Sequence, residues 1–502
     1  MSITPNFEEF KRLSTRGNLI PVGMEVAADL ETPVSAYSKI AGARKRKGLS
    51  FLLESVEGGE NLARYSLLGC EPKSVFIQQN GKAVLQTGRK KEVIEGRDVF
   101  ERLAKALSRY KPVEAPWMPP KMGGAMGYAS YEVISEIEPT VPKGRPAPPD
   151  TPEAVFMITD SLLVFDHVRH TIRIICHAFV KDSSEAGLKK VYDEACAKIL
   201  KLEGRLKRPL RLTMGSLAEA PQGIVSFDSN KTPEEFHEMV RRGKKYIYDG
   251  DCFQVVLSQR FSAKLDCDSL SLYRSLRTVN PSPYMFLLEC GGFSIVGASP
   301  EVLVKTEGRT MTVRPIAGTR RRGATHEEDV RLEAEMLADP KERAEHIMLV
   351  DLARNDVGRV SKPGTVKVND LMTVERYSHV MHIVSNVTGE LKDGLGADAA
   401  IRSAFPAGTL SGSPKVRTMQ IINELEKDKR GPYGGTVGIY SFNGDINSCI
   451  TIRTAVVKDG MAYFQSGAGI VADSIPEAED EETRNKAKAM MRALALAKVF
   501  EP

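Results

Sequence analysis

The sequence predicts an α+β protein, with a large antiparallel core and helices outside it. Three observations lead to that class. Strand-like runs come in meanders, as over 65–69, 74–78 and 83–86, where Asn80-Gly81 marks a hairpin turn. Helical patterns with clear start signals fall between the meanders, without the strict alternation of a doubly wound sheet. Apolar content of 42% over 502 residues leaves room for a large core shared by two or three domains.

In chain order, 49–55 is an apolar run ending in a carboxylate and a hydroxyl before a Gly58-Gly59 turn, and 98–110 reads as a helix. Residues 111–152 hold ten of the 28 prolines around a glycine-rich 122–127, which predicts a long irregular surface segment. Strands over 154–166 and 171–180 and a helix over 184–202 follow. The polar stretch 203–230 reads as a linker, dividing an N-terminal unit, 1–205, from a second, 225–502. Thr232 and Pro233 start a helix with Phe236, Met239, Val240 and Ile247 on its buried stripe. Next come a strand over 252–260, a helix over 269–279, and strands over 284–289, 293–297, 301–306 and 310–313. Beyond a central helix, strands are expected near 365 and over 379–389, 436–442, 446–455 and 461–466. A long helix over 476–499 ends the chain.

Seventy basic against 65 acidic residues give +5, too mild and dispersed for nucleic acid. The basic runs 44–47 and 320–322 are short and lack interleaved aromatics. Seven cysteines without CxxC spacing point to reduced thiols and away from zinc. The start of the chain has no signal pattern, and no apolar run nears the roughly 18 residues of a membrane span. A cytoplasmic protein is expected.

The central helix carries the first candidate. Asp339-Pro340 starts it, and Ala344, Ile347, Met348 and Leu352 form a stripe expected to face a core. Glu345 lies one step off that stripe, where a carboxylate is costly unless a cation or metal answers it. A rim ion pair is the plainer alternative. Arg354, Asn355 and Asp356 read as helix-end scaffolding.

Other candidates carry paired readings too. Glu482 and Lys486 in the last helix fit a plain i,i+4 ion pair. They equally fit a site beside Gly467-Ala-Gly469, whose small residues expose backbone N–H groups to an anion. Glu345 and Glu482 would then share a Mg2+, which takes one or two carboxylates plus water and substrate oxygens. Arg453, flanked by apolar residues at the end of a strand, suits either bidentate carboxylate binding or a structural ion pair. Tyr433, in the tight turn Gly431–Gly435, suits ligand contact or packing. His379 and His382 would face opposite sides of a strand, so at most one serves a site. Gly318-Thr319 offers a hydroxyl on flexible backbone. Gly408–Lys415 resembles a phosphate loop but lacks its Gly-Lys-Ser/Thr ending. Gly467–Ala472 formally fits a dinucleotide fingerprint without the second strand and acid that motif needs.

The segments 314–319, 345–356, 408–415, 433–435, 467–469 and 480–486, in this order, resemble chorismate-utilising enzymes, and among them the anthranilate synthase component I family. The resemblance covers 227–499, with weaker matches at 52–55 and 280–285. It implies a two-domain α+β fold with the active site in the cleft. It also implies a reaction: amination of chorismate by ammonia at C2 with loss of the C4 hydroxyl, then pyruvate elimination to anthranilate. That is the first step of tryptophan biosynthesis, feedback-inhibited by L-tryptophan. On matching positions it implies Glu345 and Glu482 as Mg2+ ligands. Gly318, Thr319, Tyr433, Arg453, Gly467, Ala468, Gly469 and Lys486 match the chorismate contacts. His382 matches the catalytic histidine, and Thr409 and Thr319 further catalytic positions. Glu54, Ser55, Asn280, Pro283, Tyr284 and Met285 match the tryptophan site.

Sister enzymes differ at two positions. Aminodeoxychorismate synthase carries a nucleophilic lysine where this chain has Ala317. Isochorismate and salicylate synthases carry a water-activating lysine where it has Gln254. Neither residue supplies a nucleophile or a base. A protein that binds chorismate or an amino acid without catalysis is the non-enzymatic alternative, disfavoured by Glu345, His382 and Glu482. The chain has no glutaminase cysteine elbow, which implies a separate glutamine amidotransferase subunit and a hetero-oligomer.

Overall fold

Two twelve-stranded sheets organise the protein, and both take strands from either side of the 203–230 stretch. The computed structural model describes residues 2–42, 48–55, 64–118, 123–219, 221, 223–377 and 380–501. The Gly58-Gly59 turn, the basic run 44–47 and His379 lie outside these. In the first sheet Leu49–Glu54 pairs antiparallel with Tyr284–Cys290. In the second Gly124–Ala129 pairs antiparallel with Thr436–Ser441. The expected α+β class with a large antiparallel core is therefore observed. Between the sheets, Phe51, Val75, Met126, Tyr128, Phe286 and Val437 pack in one buried cluster. Helices cover the outer faces. Among the described residues no helix is long and apolar enough to cross a membrane.

Several local signals are realised as expected. Thr232 and Glu235 form a full capping box on Pro233–Tyr248. The helix Ser269–Val279 has its expected bounds, capped by Asp268. Asn80-Gly81 turns the hairpin between Ser74–Gln79 and Lys82–Thr87.

Four expectations are corrected, three of them in the sheets. The glycine-rich 122–127 segment is no surface loop, because Gly124–Ala129 is a fully buried strand. A Cβ on Gly124 would stand 2.0 Å from Tyr440 O, and one on Gly127 1.9 Å from Val155 O. These glycines admit close strand packing rather than loop freedom. The strand expected over 446–455 is two strands, Ile446–Ile450 in the second sheet and Thr454–Lys458 in the first. The chain changes sheets between them. Likewise Gly318-Thr319 lies within a strand, Ile316–Arg321, bulged between Ala317 and Thr319 with Gly318 at φ +68°.

The central helix runs Pro340–Val360, with the Asp339 carboxylate capping Lys341 N at 2.9 Å. Its buried face differs from the expected stripe. Ile347 is exposed, while His346, Val350, Ala353, Asp356, Val357 and Val360 point inward. A purely apolar pattern misses this face because two inward residues are polar and partnered. His346 Nε2 meets Ser385 Oγ at 2.7 Å, and Asp356 pairs with Lys415 at 2.7 Å. Lys415, the terminal lysine of the phosphate-loop lookalike, also donates to Ala404 O. Lys415→Met leaves Asp356 buried without its cation. At pH 7 it should cost about 3 kcal/mol in urea unfolding. The cost should shrink on acidification, since burial already pushes the Asp356 carboxyl up and protonation removes the unpaired charge. A pH-independent loss below 0.5 kcal/mol would count against this account.

Candidate active site

Two neighbouring segments carry the chain between the sheets, and each holds a charged residue. Ser294–Ser299 belongs to the first sheet and Val302–Glu307 to the second, with Glu301 at the crossing. Ile446–Ile450 and Thr454–Lys458 cross in the opposite sense, with Arg453 between them at φ +49°. The crossings are joined by Ala298 N donating to Arg453 O at 3.2 Å and Ile450 N donating to Glu301 O at 3.0 Å. Glu301 is buried, and Thr409 Oγ1 donates to its Oε1 at 3.0 Å. Burial pushes the Glu301 carboxyl up to about 8, opposed by the Thr409 hydrogen bond and by the Arg453 and Lys486 charges. Among the described residues the Arg453 guanidinium makes no hydrogen bond or ion pair. A half-buried cation without a committed partner is suited to an anionic ligand.

Glu301 was absent from the sequence candidates, where it read as the first residue of a strand. The available signal was Ser299-Pro300-Glu301, a carboxylate placed between two apolar runs.

His382 lies in Val380–Glu390, opposite Thr319 in register. Its Nδ1 is 3.0 Å from Gly318 O and 3.0 Å from Thr319 Oγ1. A carbonyl only accepts, so Nδ1 carries the proton and Nε2 keeps its lone pair. Burial lowers the pKa of His382. The Gly318 carbonyl opposes that shift and Arg453 adds to it. Arg453 thus acts on both Glu301 and His382.

Gly467, Ala468 and Gly469 do not form a loop. They lie within Met461–Ile470, paired with Gln254–Lys264 on one side. On the other side the ladder to Thr454–Lys458 ends at Phe464, which leaves that edge of 465–470 without a strand partner. Lys486 Nζ donates to Gly467 O at 3.1 Å and pairs with Glu482 at 2.6 Å. A Cβ on Gly467 would meet the Tyr433 hydroxyl at 2.9 Å, so Tyr433 closes over this edge. Gln254 Nε2 donates to Glu345 Oε1 at 3.3 Å and would stand 2.6 Å from a Cβ on Gly469. Gln254 therefore bridges the strand edge and the central helix. Glu479, one turn before Glu482, has its pKa raised first by burial, with Lys341 of the central helix among the opposing charges.

A cavity of about 290 Å3 opens between the sheets, apart from these residues. Glu54, Ser55, Pro283, Tyr284 and Met285 line it, with Asn447 on the facing sheet. Asn280 stands outside this wall, at the C-cap of Ser269–Val279. Glu54 Oε1, Ser55 Oγ and Asn280 Nδ2 are buried without hydrogen-bond partners. Burial raises the Glu54 pKa, while Arg277, bonded to Oε2 at 3.0 Å, opposes the rise.

Comparison with known proteins gives this arrangement a family. Residues 50–492 match the family model of chorismate binding enzymes. The anthranilate synthase component 1 of Synechocystis sp. is 48% identical, with 98% of this chain and 99% of the relative covered. The crystal structure of anthranilate synthase component I from Streptococcus pneumoniae superposes with a TM-score of 0.75 at 36% identity, over 93% of this chain and 99% of that one. The menaquinone-specific isochorismate synthase of Escherichia coli shares the fold, with a TM-score of 0.70 at 16% identity over 97% and 98%. The chain belongs to the family of chorismate binding enzymes, and within it groups with anthranilate synthase component I.

Proposed function

We propose that the protein is an anthranilate synthase component I, converting chorismate and ammonia to anthranilate and pyruvate. The observation that carries this reading is Glu301, a buried acid whose carboxyl is pushed up to about 8, beside the uncommitted cation Arg453, whose charge also acts on His382. Chorismate is a dicarboxylate, and Arg453, Lys486 and the open edge at 467–469 offer two cations and backbone donors to it. Ammonia attacks C2, both ring double bonds shift (C1=C2 to C1=C6 and C5=C6 to C4=C5), the C4 hydroxyl leaves as water with a proton from Glu301, and the new C2 ammonium gives up a proton that restores the acid. His382 Nε2 then takes the C2 proton as the C3–O bond breaks, leaving the aromatic ring, and the departing enolpyruvate takes up a proton to become pyruvate. Thr409 orients Glu301, and Thr319 with the Gly318 carbonyl holds His382. Ala317 and Gln254 provide neither a nucleophile nor a base for the sister reactions.

Glu345 and Glu482 fit a Mg2+ ion. Glu345 is half-buried and Glu482 exposed, and among the described residues no three His, Cys, Asp or Glu side chains converge. Such an ion would draw the rest of its shell from water and substrate. When bound it would neutralise a substrate carboxylate.

The nitrogen source is ammonia delivered by a glutamine amidotransferase subunit. The purified chain should therefore form anthranilate, followed by its fluorescence, from chorismate, Mg2+ and ammonium but not from glutamine. Glutamine-dependent turnover by the chain alone would defeat the partner assignment. Absence of anthranilate with ammonium would defeat the function.

L-Tryptophan is the proposed occupant of the 290 Å3 cavity, as a feedback inhibitor. Apolar walls suit an indole, and the unpartnered Glu54 Oε1 and Ser55 Oγ suit an α-ammonium group. Ser55→Phe fills that space. It should raise the tryptophan concentration for half-inhibition at least tenfold, about 1.4 kcal/mol of lost binding, with uninhibited turnover unchanged. An unchanged half-inhibition point would remove tryptophan from this cavity.

A further inference from the structure

We infer that Arg430 is a positioning residue that sets the spacing of three parts of the active site, an inference resting on the chorismate-site reading above. Its side chain is 1% exposed, and it precedes the Tyr433 turn. Nε and Nη2 donate to the two oxygens of Glu426 at 2.8 and 2.5 Å. Nη1 donates to Leu410 O at 2.7 Å, the residue after Thr409. Nη2 also donates to Val256 O at 2.8 Å, and Val256 is the register partner of Gly469. The guanidinium lies over the Tyr433 ring at 5.6 Å and the Tyr131 ring at 4.8 Å.

Thr409, Tyr433 and the 467–469 edge come from separate elements. One planar group reaches directly behind each of them. Glu426 extends the brace, accepting from Ser258 N and Oγ at 2.8 Å, and Ser258 is the register partner of Gly467. The backbone N–H groups of Arg430 and Gly431 are taken by Glu132, at 2.7 and 3.1 Å. A buried ion pair adds little net stability over a packed apolar pair, whereas its directional bonds fix position. With its donors committed to protein acceptors, Arg430 acts through its neighbours and does not itself contact substrate. Lysine cannot replace it, because one ammonium cannot span a bidentate carboxylate and two carbonyls in a plane.

The test compares Arg430→Lys with Arg205→Lys. Arg205 is a second buried arginine, bonded to Glu71 at 2.7 Å and Ile40 O at 2.9 Å, far along the first sheet from the site. With ammonium as nitrogen donor and both proteins folded, Arg430→Lys should lower kcat/KM for chorismate about 100-fold, with KM raised and kcat reduced. Arg205→Lys should lose stability and keep kcat/KM within twofold. Fluorotyrosine incorporated at position 433 gives a readout that needs no turnover. Its 19F signal should move or split in Arg430→Lys and stay fixed in Arg205→Lys. If Arg430→Lys fails to fold, Glu426→Gln replaces it, with a tenfold loss and the same 19F change expected. The inference is overturned if the Arg430 or Glu426 variant keeps kcat/KM within threefold with an unmoved signal. It is also overturned if Arg205→Lys loses activity equally. A parent protein that makes no anthranilate defeats the function alone, and the 19F comparison still decides the role of Arg430.

Discussion

Glu301→Gln is expected to lower kcat/KM for chorismate about 10^3-fold while leaving the protein folded. Glutamine keeps the shape of the side chain and an oxygen for the Thr409 hydroxyl, but it has no acidic proton to give. General acids contribute factors of about 10^2 to 10^4, and hydroxide is a poor leaving group, so the upper part of that range applies. The pH profile adds a second check. Burial holds the Glu301 pKa at about 8, so the acid is protonated at neutral pH and is lost as pH rises through that value. The parent enzyme should therefore show an alkaline limb near pH 8. Substrate carboxylates answering Arg453 and Lys486 would weaken the two charges that hold this value down, moving the limb for kcat higher than that for kcat/KM. The residual activity of the glutamine variant should lack the limb. A variant within tenfold of the parent, or one that keeps the same alkaline limb, would exclude Glu301 as the acid.

His382→Ala should separate the two halves of the reaction. Amination uses Glu301 and the cations, which the variant retains. Pyruvate elimination needs a base at C2, and the only lone pair on His382 free for it is Nε2, because Nδ1–H is committed to Gly318 O. Anthranilate formation should fall about 10^3-fold. Chorismate consumption should fall far less, and a species with the mass of chorismate plus ammonia minus water should accumulate. Mass spectrometry of the reaction mixture distinguishes the outcomes. Proportional loss of consumption and product, with no such species, would place His382 elsewhere in the mechanism. In the parent an acid limb is expected below the ordinary histidine range, because burial favours the neutral ring.

Much of the local structure was legible because it is fixed by chemistry within a few residues. Asp339-Pro340, the Thr232 capping box and the Asn80-Gly81 hairpin are each specified by their own side chains. What depends on distant partners was not. Gly124 and Gly127 looked like loop residues because the strands that require them, around Tyr440 and Val155, are not their sequence neighbours. His346 and Asp356 fall outside the apolar stripe because Ser385 and Lys415 satisfy them from other elements. The switches between sheets at 299–302 and 450–454 leave no periodic signature, so nothing in the pattern around Glu301 marks it as a site residue. Arg453 was identified by its charge among apolar neighbours, while its left-handed backbone appeared only with the crossing. The 467–469 segment, read from its small residues as a backbone cradle, is part of a strand whose outer edge lacks a strand partner.

The sharing of both sheets between the two halves of the chain also bears on its synthesis. Gly124–Ala129 is buried against Thr436–Ser441, so its edge has no partner until about 300 more residues are made, some 15–60 s at usual ribosomal rates. Leu49–Glu54 likewise waits for Tyr284–Cys290. During that interval the nascent chain carries apolar strands with open edges, a state prone to wrong pairing. Release truncated before residue 436 should yield a chaperone-bound or insoluble product rather than a folded N-terminal fragment. Production in cells is therefore expected to depend on holdase capacity more than the stability of the finished enzyme would suggest.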